Sequence, residues 1–366
     1  MINYMTKFQK IIGRLRPIIN KTPVMFYKKK EKTLFSPSFF GFNNIVDKIN
    51  EINPDIVHLH WICGGMIKIE DIANIKAHIV WSLHDMWAFT GGCHYNEGCS
   101  LYKNNCGNCK VLGSDKKNDL SRSIFNRKKK TFPLISSLTI IGVSQWLTKT
   151  SKNSPLLKNK KHINIPNPID TNIFKPFSKY KARDLWGLPK SKKLVLFGAI
   201  GATSDPRKGF KELNESMDSL KNKDIEFVVF GSDKPKESQK LKFKTHYLGH
   251  LYDDISLVAL YSSVDVMVVP SLQEAFGQTV SEAMSCGIPV VAFNTTGLMD
   301  IVDHKKNGYL AKPFKADDLA IGIEWVLNNV NYDELSKNAR DKVLREFDSK
   351  VVAKKCIDLY SMILNG

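Results

Sequence analysis

The chain is 366 residues long and 43% hydrophobic, with 54 Lys and Arg against 36 Asp and Glu, a formal net charge of +18. That length exceeds what one ordinary core supports, so two domains are expected, and the apolar share excludes wholesale disorder. No apolar run reaches the roughly 18 residues a membrane-spanning helix needs.

The opening MINYMTKFQKIIGRLRPIIN is basic but has no uninterrupted apolar stretch and no small-residue cleavage site. It does not read as a signal peptide, and a soluble, cytoplasmic protein is expected. Lys7–Ile19 reads as a short basic amphipathic helix, and Thr33–Phe40 as a connecting segment. From Ile56 onward, short β-rich runs alternate with helix-like stretches. Ile56–Trp61, Ile79–Leu83 and Leu138–Val143 are continuous apolar runs, as in strands of a parallel α/β sheet covered on both faces. Ile165-Pro166-Asn167-Pro168-Ile169-Asp170 breaks the pattern and marks a domain boundary near residue 170.

After the break the alternation restarts. Leu194–Phe197, Phe227–Phe230, Val264–Val269 and Pro289–Phe293 read as strands, and Lys208–Leu220 and Gln278–Ser285 as helices. Such alternation implies βαβ units with right-handed crossovers, hence an α/β protein of two facing Rossmann-like domains. Ser349–Leu364 has apolar positions at helical spacing and reads as a closing helix. The expected division is therefore 1–170, with a Cys-rich insertion over 91–112, then 171–348, then a closing helix over 349–366.

The charge is unevenly placed. Residues 1–170 carry a net +15, including Lys28–Lys30 and Arg127–Lys130, whereas residues 171–366 carry only +3. A basic field of this kind suits anionic lipid surfaces, nucleic acid or phosphorylated substrates, although Lys outnumbering Arg 46 to 8 also fits codon bias in an AT-rich genome. No aromatic-basic RNA signature or helix-turn-helix pattern accompanies it, so nucleic acid is not expected as a partner.

The densest chemistry lies in VVPSLQEAFGQTVSEAMSCGIPVV, residues 268–291. A strand ends at Pro270, a loop carries Glu274 and Gly277, and a helix begins near Gln278. The amides around Phe276, Gly277, Gln278 and Thr279 would form a helix N-terminus, which offers unpaired donors and a positive dipole end to a phosphate. Gly277 lets a backbone approach a ligand closely. Glu274 can accept hydrogen bonds from sugar hydroxyls, and Glu282, eight residues on, from a ribose; each charge-assisted bond is worth roughly 1.5–3 kcal/mol. A solvated helix residue and a loop carboxylate are the plainer readings of the same pair.

This stretch resembles the E-x7-E signature of family 4 retaining glycosyltransferases of the GT-B fold. Val264-Asp265-Val266 leading to Pro270-Ser271, then Ala283-Met284, Cys286–Val291 and Asn307–Leu310, agree with it. The resemblance spans roughly residues 54–366 and implies a nucleotide-sugar-binding second domain and an acceptor-side first domain. In Ser204-Asp205-Pro206-Arg207-Lys208-Gly209-Phe210, Lys208 matches the lysine of the family's basic pair that grips the donor diphosphate. The partner arginine normally stands six residues earlier. Here position 202 is Ala, so either Arg207 or another residue substitutes, or donor binding is weaker. In Trp81-Ser82-Leu83-His84-Asp85-Met86-Trp87, His84 matches the family's cleft histidine at a strand end, and Asp85 reads equally as a cap.

The implied reaction transfers a hexosyl unit from a nucleotide-diphosphate sugar to an acceptor hydroxyl of a glycan or lipid-linked glycan, with anomeric configuration retained. His84 and Glu274 take the catalytic positions, and no cofactor is required. The tryptophan-rich HDMW…TGGCHY segment is similar to that of bacterial polysaccharide and colanic-acid-type members. Family members open with a strand and a Gly-rich loop. Residues 1–50 contain no such element, so the first βα unit reads as missing, and a nucleotide-sugar binder without turnover is the alternative.

Four of seven cysteines cluster as Cys93, Cys99, Cys106 and Cys109. In a reducing compartment such a cluster fits a structural zinc, with His94 able to replace one thiolate; two disulfides or reduced packing cysteines are the competing readings. The +15 of the first half then suits an anionic membrane surface or acceptor.

Overall fold

The computed structural model describes residues 7–41, 44–222, 224–234 and 242–366. The chain forms two compact units. The first runs to Ile165 and takes back the tail Asp358–Gly366, and the second is Pro166–Ile357.

The first unit holds a parallel sheet of β1 (Ile56–Leu59), β2 (His78–Leu83), β3 (Leu138–Gly142) and β4 (Lys161–Asn164), paired in chain order. Burial explains the order of residue types. Every residue of β3 and all but the first of β2 are buried, so both strands can be apolar throughout. β1 and β4 lie at the edges; β1 (Ile-Val-His-Leu) alternates half-buried with buried residues, and β4 (Lys-His-Ile-Asn) has no apolar run for a sequence reading to find. Around the sheet lie α1 (Lys7–Met25), α2 (Ile45–Ile52), α3 (Leu120–Thr131) and α4 (Gln145–Lys152). Asp119 and Ser144 cap α3 and α4 by accepting from the amides of Arg122 and Leu147. Between Lys7 and Asn53 no described residue forms a strand; α1 extends six residues beyond the expected Ile19. The Thr33–Phe40 connector is pinned to the cysteine-rich loop, with Ser36 donating to Gly92 O at 2.8 Å and His94 N to Leu34 O at 3.0 Å.

The second unit is built on six parallel strands: β5 (Lys193–Gly198), β6 (Ile225–Phe230), β7 (Thr245–Tyr247), β8 (Val266–Val269), β9 (Val290–Phe293) and β10 (Gly308–Ala311). Their spatial order is β7-β6-β5-β8-β9-β10. The chain winds outward from β5 to β7, then returns to lay β8 on the other side of β5. The reversal opens a crevice at the carboxyl ends of β5 and β8, the point at which open α/β sheets take ligands. Phe197, Phe227, Val229, Val268 and Phe293 fill the core beneath it.

Helices α5 (Lys179–Leu185), α6 (Phe210–Ser216), α7 (Asp254–Ser263), α8 (Gln278–Ser285), α9 (Ala316–Leu327) and α10 (Tyr332–Glu346) surround this sheet. α11 (Ser349–Leu364) begins in the second unit and ends in the first. The expected helix over Lys208–Leu220 is three pieces. A tight turn at Pro206–Lys208 ends on Gly209 in left-handed backbone, φ 72°, before α6 starts, and a second tight turn follows at Met217–Ser219.

Candidate functional site: a donor-side crevice and a histidine cluster

At the crevice of the second unit, the loop after β5 and the loop after β8 are locked together. A Cβ on Gly209 would stand 1.9 Å from Pro270 O, so only glycine, which also tolerates the positive φ, allows the two loops to meet. Leu272 N donates to Arg207 O at 2.8 Å across the same seam. This contact sets Lys208 beside Glu274, and Lys208 Nζ reaches Glu274 Oε1 at 2.7 Å with both side chains mostly buried. The Glu274 backbone is fixed from the other side: its N–H donates to Thr296 Oγ1 and its carbonyl accepts from Gly297 N, both at 3.0 Å. Arg207 turns instead to Asp205, 2.6 Å away. Ala202, where the family's arginine would stand, is fully buried in the core.

Gly277 begins α8 with φ 120°, and no side chain caps the helix. A Cβ there would meet Leu298 Cδ2 at 2.9 Å. Gln278 is exposed and Thr279 half-buried at the first turn, so the amides of this N-terminus lie at the crevice with its positive dipole end. Phe276 contributes backbone only, because its ring is buried edge-on against Phe347. Glu282 is not a solvated helix residue. It accepts a 2.7 Å hydrogen bond from the Tyr261 hydroxyl, and burial raises its pKa from 4.5 to about 7. Tyr261, fully buried, is pushed well above its ordinary value by burial and by the Glu282 charge.

The first unit carries a separate cluster at the carboxyl ends of β1 and β2. His84 Nε2 lies 2.9 Å from His60 Nδ1, and His60 stacks on His58 at 4.4 Å between centroids. His58 in turn bonds Ser82 Oγ at 2.8 Å and the Tyr360 hydroxyl at 2.5 Å. Burial lowers the pKa of all three, His58 to about 4, and their mutual repulsion adds to the effect on His58 and His84. The cluster is therefore neutral at pH 7, and of the facing nitrogens of His60 and His84 one donates while the other accepts. Asp85 does not serve His84. Its carboxylate accepts from Trp87 N at 2.7 Å and bonds His94 Nδ1 at 2.6 Å.

Residues 180–342 match the sequence model of the glycosyl transferases group 1. Over those residues the chain is similar to the group 1 glycosyltransferases. A glycosyltransferase of Methanocaldococcus jannaschii, itself uncharacterized, is 26% identical over 353 residues, 90% of this chain and 87% of that protein. N,N'-diacetylbacillosaminyl-diphospho-undecaprenol alpha-1,3-N-acetylgalactosaminyltransferase of Campylobacter jejuni is 32% identical over 164 residues, 43% of each chain. Sucrose-phosphate synthase of Thermosynechococcus elongatus superposes with a TM-score of 0.66 at 19% identity, covering 100% of this chain and 81% of that one. HepE of Anabaena, solved with UDP and glucose, gives 0.62 at 18% identity over 87% of this chain and 81% of its own. The structural likenesses show the fold, which is GT-B, with two Rossmann-like units.

In the first unit the four clustered cysteines line one small cavity, with Cys93 and Cys109 buried. All seven cysteines are free. Burial pushes the thiols of Cys93, Cys106 and Cys109 upward, Cys106 to about 12, so these three are neutral. Among the described residues no three His, Cys, Asp or Glu side chains are grouped so as to hold a metal ion. His94, the alternative ligand for the expected zinc, bonds Asp85 and, at 2.8 Å, Ser36 Oγ.

The basic run Arg127–Lys130 is likewise not a solvated patch throughout. Arg127 forks onto Glu70 at 2.6 and 2.7 Å and covers the Phe39 ring. Lys128 is fully buried 3.7 Å over the Trp87 ring, donating to the carbonyls of Trp87 and Thr90, and burial lowers its pKa to about 7. It fastens the HDMW…TGGC segment to α3. His60 and Tyr261, the partners of His84 and Glu282, were absent from the sequence reading. The alternation His58-x-His60 at the end of β1 hints at the first, whereas no local pattern marks Tyr261.

Proposed function

We propose that this chain is a retaining glycosyltransferase that moves a hexosyl unit from a nucleotide-diphosphate sugar to a hydroxyl of a glycan or lipid-linked glycan, in bacterial surface-polysaccharide synthesis of the colanic-acid type. The observation that carries the reading is the Lys208–Glu274 pair at the β5/β8 switch point, beside the uncapped N-terminus of α8. The ammonium of Lys208, the guanidinium of Arg207 and the α8 amides would hold the diphosphate and stabilise the charge that develops on it as the glycosidic bond breaks. Glu274 would accept from donor-sugar hydroxyls and Glu282 from the ribose. Same-face attack lets the departing phosphate oxygen take the acceptor proton, so the protein's share is positioning and electrostatics. His84, kept neutral, would supply a hydrogen bond near the reacting sugar.

The named activity of the Campylobacter relative, a transfer onto an undecaprenol-linked acceptor, supports a lipid-linked acceptor and with it work at a membrane surface. A second reading, nucleotide-sugar binding without turnover, is favoured by the first unit. Its sheet runs β1 to β4 in chain order without a reversal, and no described strand precedes β1. That arrangement fits a first domain lacking the family's opening βα unit.

Calorimetric titration with UDP, GDP and their sugars, followed by transfer assays, tests both readings. Donor binding with turnover that Glu274→Ala abolishes, fold intact, supports the first, and binding without turnover the second. No binding of any nucleotide removes both.

A further inference from the structure

Helix α1 is amphipathic with its apolar face turned outward. Leu15, Ile18, Ile19, Thr22 and Met25, with Phe26 just beyond the end, are spaced i, i+3, i+4, i+7, i+10 and i+11, which places them on one stripe. A helix of a globular domain buries such a stripe. Here Ile18 is 62% exposed, Met25 66% and Phe26 81%. The side that packs inward carries instead Asn20 and Val24, and Asn20 Nδ2 donates to Phe40 O at 3.1 Å. The orientation is fixed at the far end as well, where the Tyr27 hydroxyl accepts from Leu120 N at 3.0 Å. Phe40, also exposed, lies with Ile19, Phe26 and the start of α3 along an open groove of about 710 Å³.

The surroundings of the stripe identify its occupant. Arg14, Lys21, Lys28, Lys29, Lys30 and Lys32 are exposed on α1 and the segment that follows it, with Glu31 the one acidic residue between positions 14 and 32. An exposed apolar stripe flanked by cations is the pattern of a helix that lies in a bilayer interface, its apolar side chains among the acyl chains and its cations on anionic headgroups. A protein partner would need only the apolar area. The cations ask in addition for a negatively charged surface. No helix among the described residues is long and apolar enough to cross a membrane, so the contact would be peripheral.

We infer that α1 and the Lys28–Lys32 segment form a docking surface for anionic phospholipid. The inference deepens the acceptor side of the proposed function by fixing which face meets the membrane. It is separable from the donor side, because nucleotide titration does not involve these residues.

The test is co-sedimentation of the full chain with vesicles of phosphatidylcholine alone or with about 30% phosphatidylglycerol, at low and high salt. Two variants are compared, Ile18→Glu with Phe26→Glu, and Lys28→Glu with Lys29→Glu and Lys30→Glu. Wild type should partition onto the anionic vesicles and be released by salt. Each cation near the surface contributes about fivefold to partitioning, so the charge variant should lose more than about tenfold. The apolar variant should lose at least about tenfold. All substituted side chains are solvent-exposed, and circular dichroism with a melting curve verifies that both variants fold. Absence of binding to anionic vesicles, or equal binding by wild type and both variants, overturns the inference. A dimer dispersed by the apolar substitutions, without vesicle binding, overturns it in favour of self-association. Wild-type protein that binds UDP or GDP but does not bind anionic vesicles would refute the docking surface and leave the transfer reading standing.

Discussion

Replacing Glu282 by Gln should stabilise the second unit and weaken its hold on nucleotide, with a pH signature that separates the two effects. The carboxyl is buried on α8 against Tyr261, and its pKa rises from 4.5 to about 7. An unfolded chain releases this proton near 4.5, whereas the folded chain keeps it until about 7. Folding therefore gains stability from this group below pH 4.5 and loses it as pH rises to 7, with the loss complete above that. The interval corresponds to about 3 kcal/mol. Glutamine keeps an oxygen for the Tyr261 hydroxyl but has no proton to lose, so the variant should match wild type near pH 4.5 and exceed it by up to about 3 kcal/mol at pH 8. For a unit of this size that is a difference of roughly 6–12 °C in melting temperature. Melting curves of both proteins from pH 4.5 to 8.5 read it directly. Nucleotide affinity should move the other way: wild type should bind UDP or GDP more tightly as pH rises through 7 and the carboxylate forms, and the variant should bind roughly tenfold more weakly, without that dependence. A stability difference that stays constant across pH would refute the buried titration, and unchanged nucleotide affinity would refute the ribose role.

Lys208→Ala should weaken nucleoside diphosphate by roughly 10- to 100-fold while leaving nucleoside affinity nearly unchanged, since only the phosphates meet the ammonium; calorimetry with UDP and uridine, or GDP and guanosine, separates the two. Gly209→Ala should cost more than about 2 kcal/mol in denaturant unfolding and abolish donor binding, because its Cβ would stand 1.9 Å from Pro270 O at a positive φ. Thiol titration of unfolded, unreduced protein should count seven free cysteines, and a shortfall of two for each bridge would restore the disulfide reading.

Much of the second unit was legible from the chain alone. β5, β6, β8 and β9 are short, apolar and bounded by glycine, proline or polar residues, because a strand buried on both faces needs little else. α8 followed from its apolar spacing, and α11 likewise. β4, β7 and β10 were not found: all three are edge strands, and β4 and β7 are of mixed polarity. The break at Gly209 was also hidden, since helical spacing continues through it while the need for a residue without a Cβ arises from Pro270, more than sixty positions away.

The sequence by itself determined the α/β alternation, the two-part chain, the placement of charge in the first part and the residue types at the donor motifs, all of which are local in sequence. Only the tertiary structure decided what those residues do. It joined Lys208 to Glu274, gave Glu282 a buried tyrosine, set His60 against His84 and took Lys128 out of the basic field to a place over Trp87. It also turned the apolar stripe of α1 toward solvent, which periodicity cannot foresee: spacing establishes that a face is apolar, whereas the packing of Asn20 and Val24 decides where that face points. The physical reason is common to all of these. Pairings, burial and the pKa shifts that follow depend on side chains brought together across strands and loops, and no local pattern encodes them.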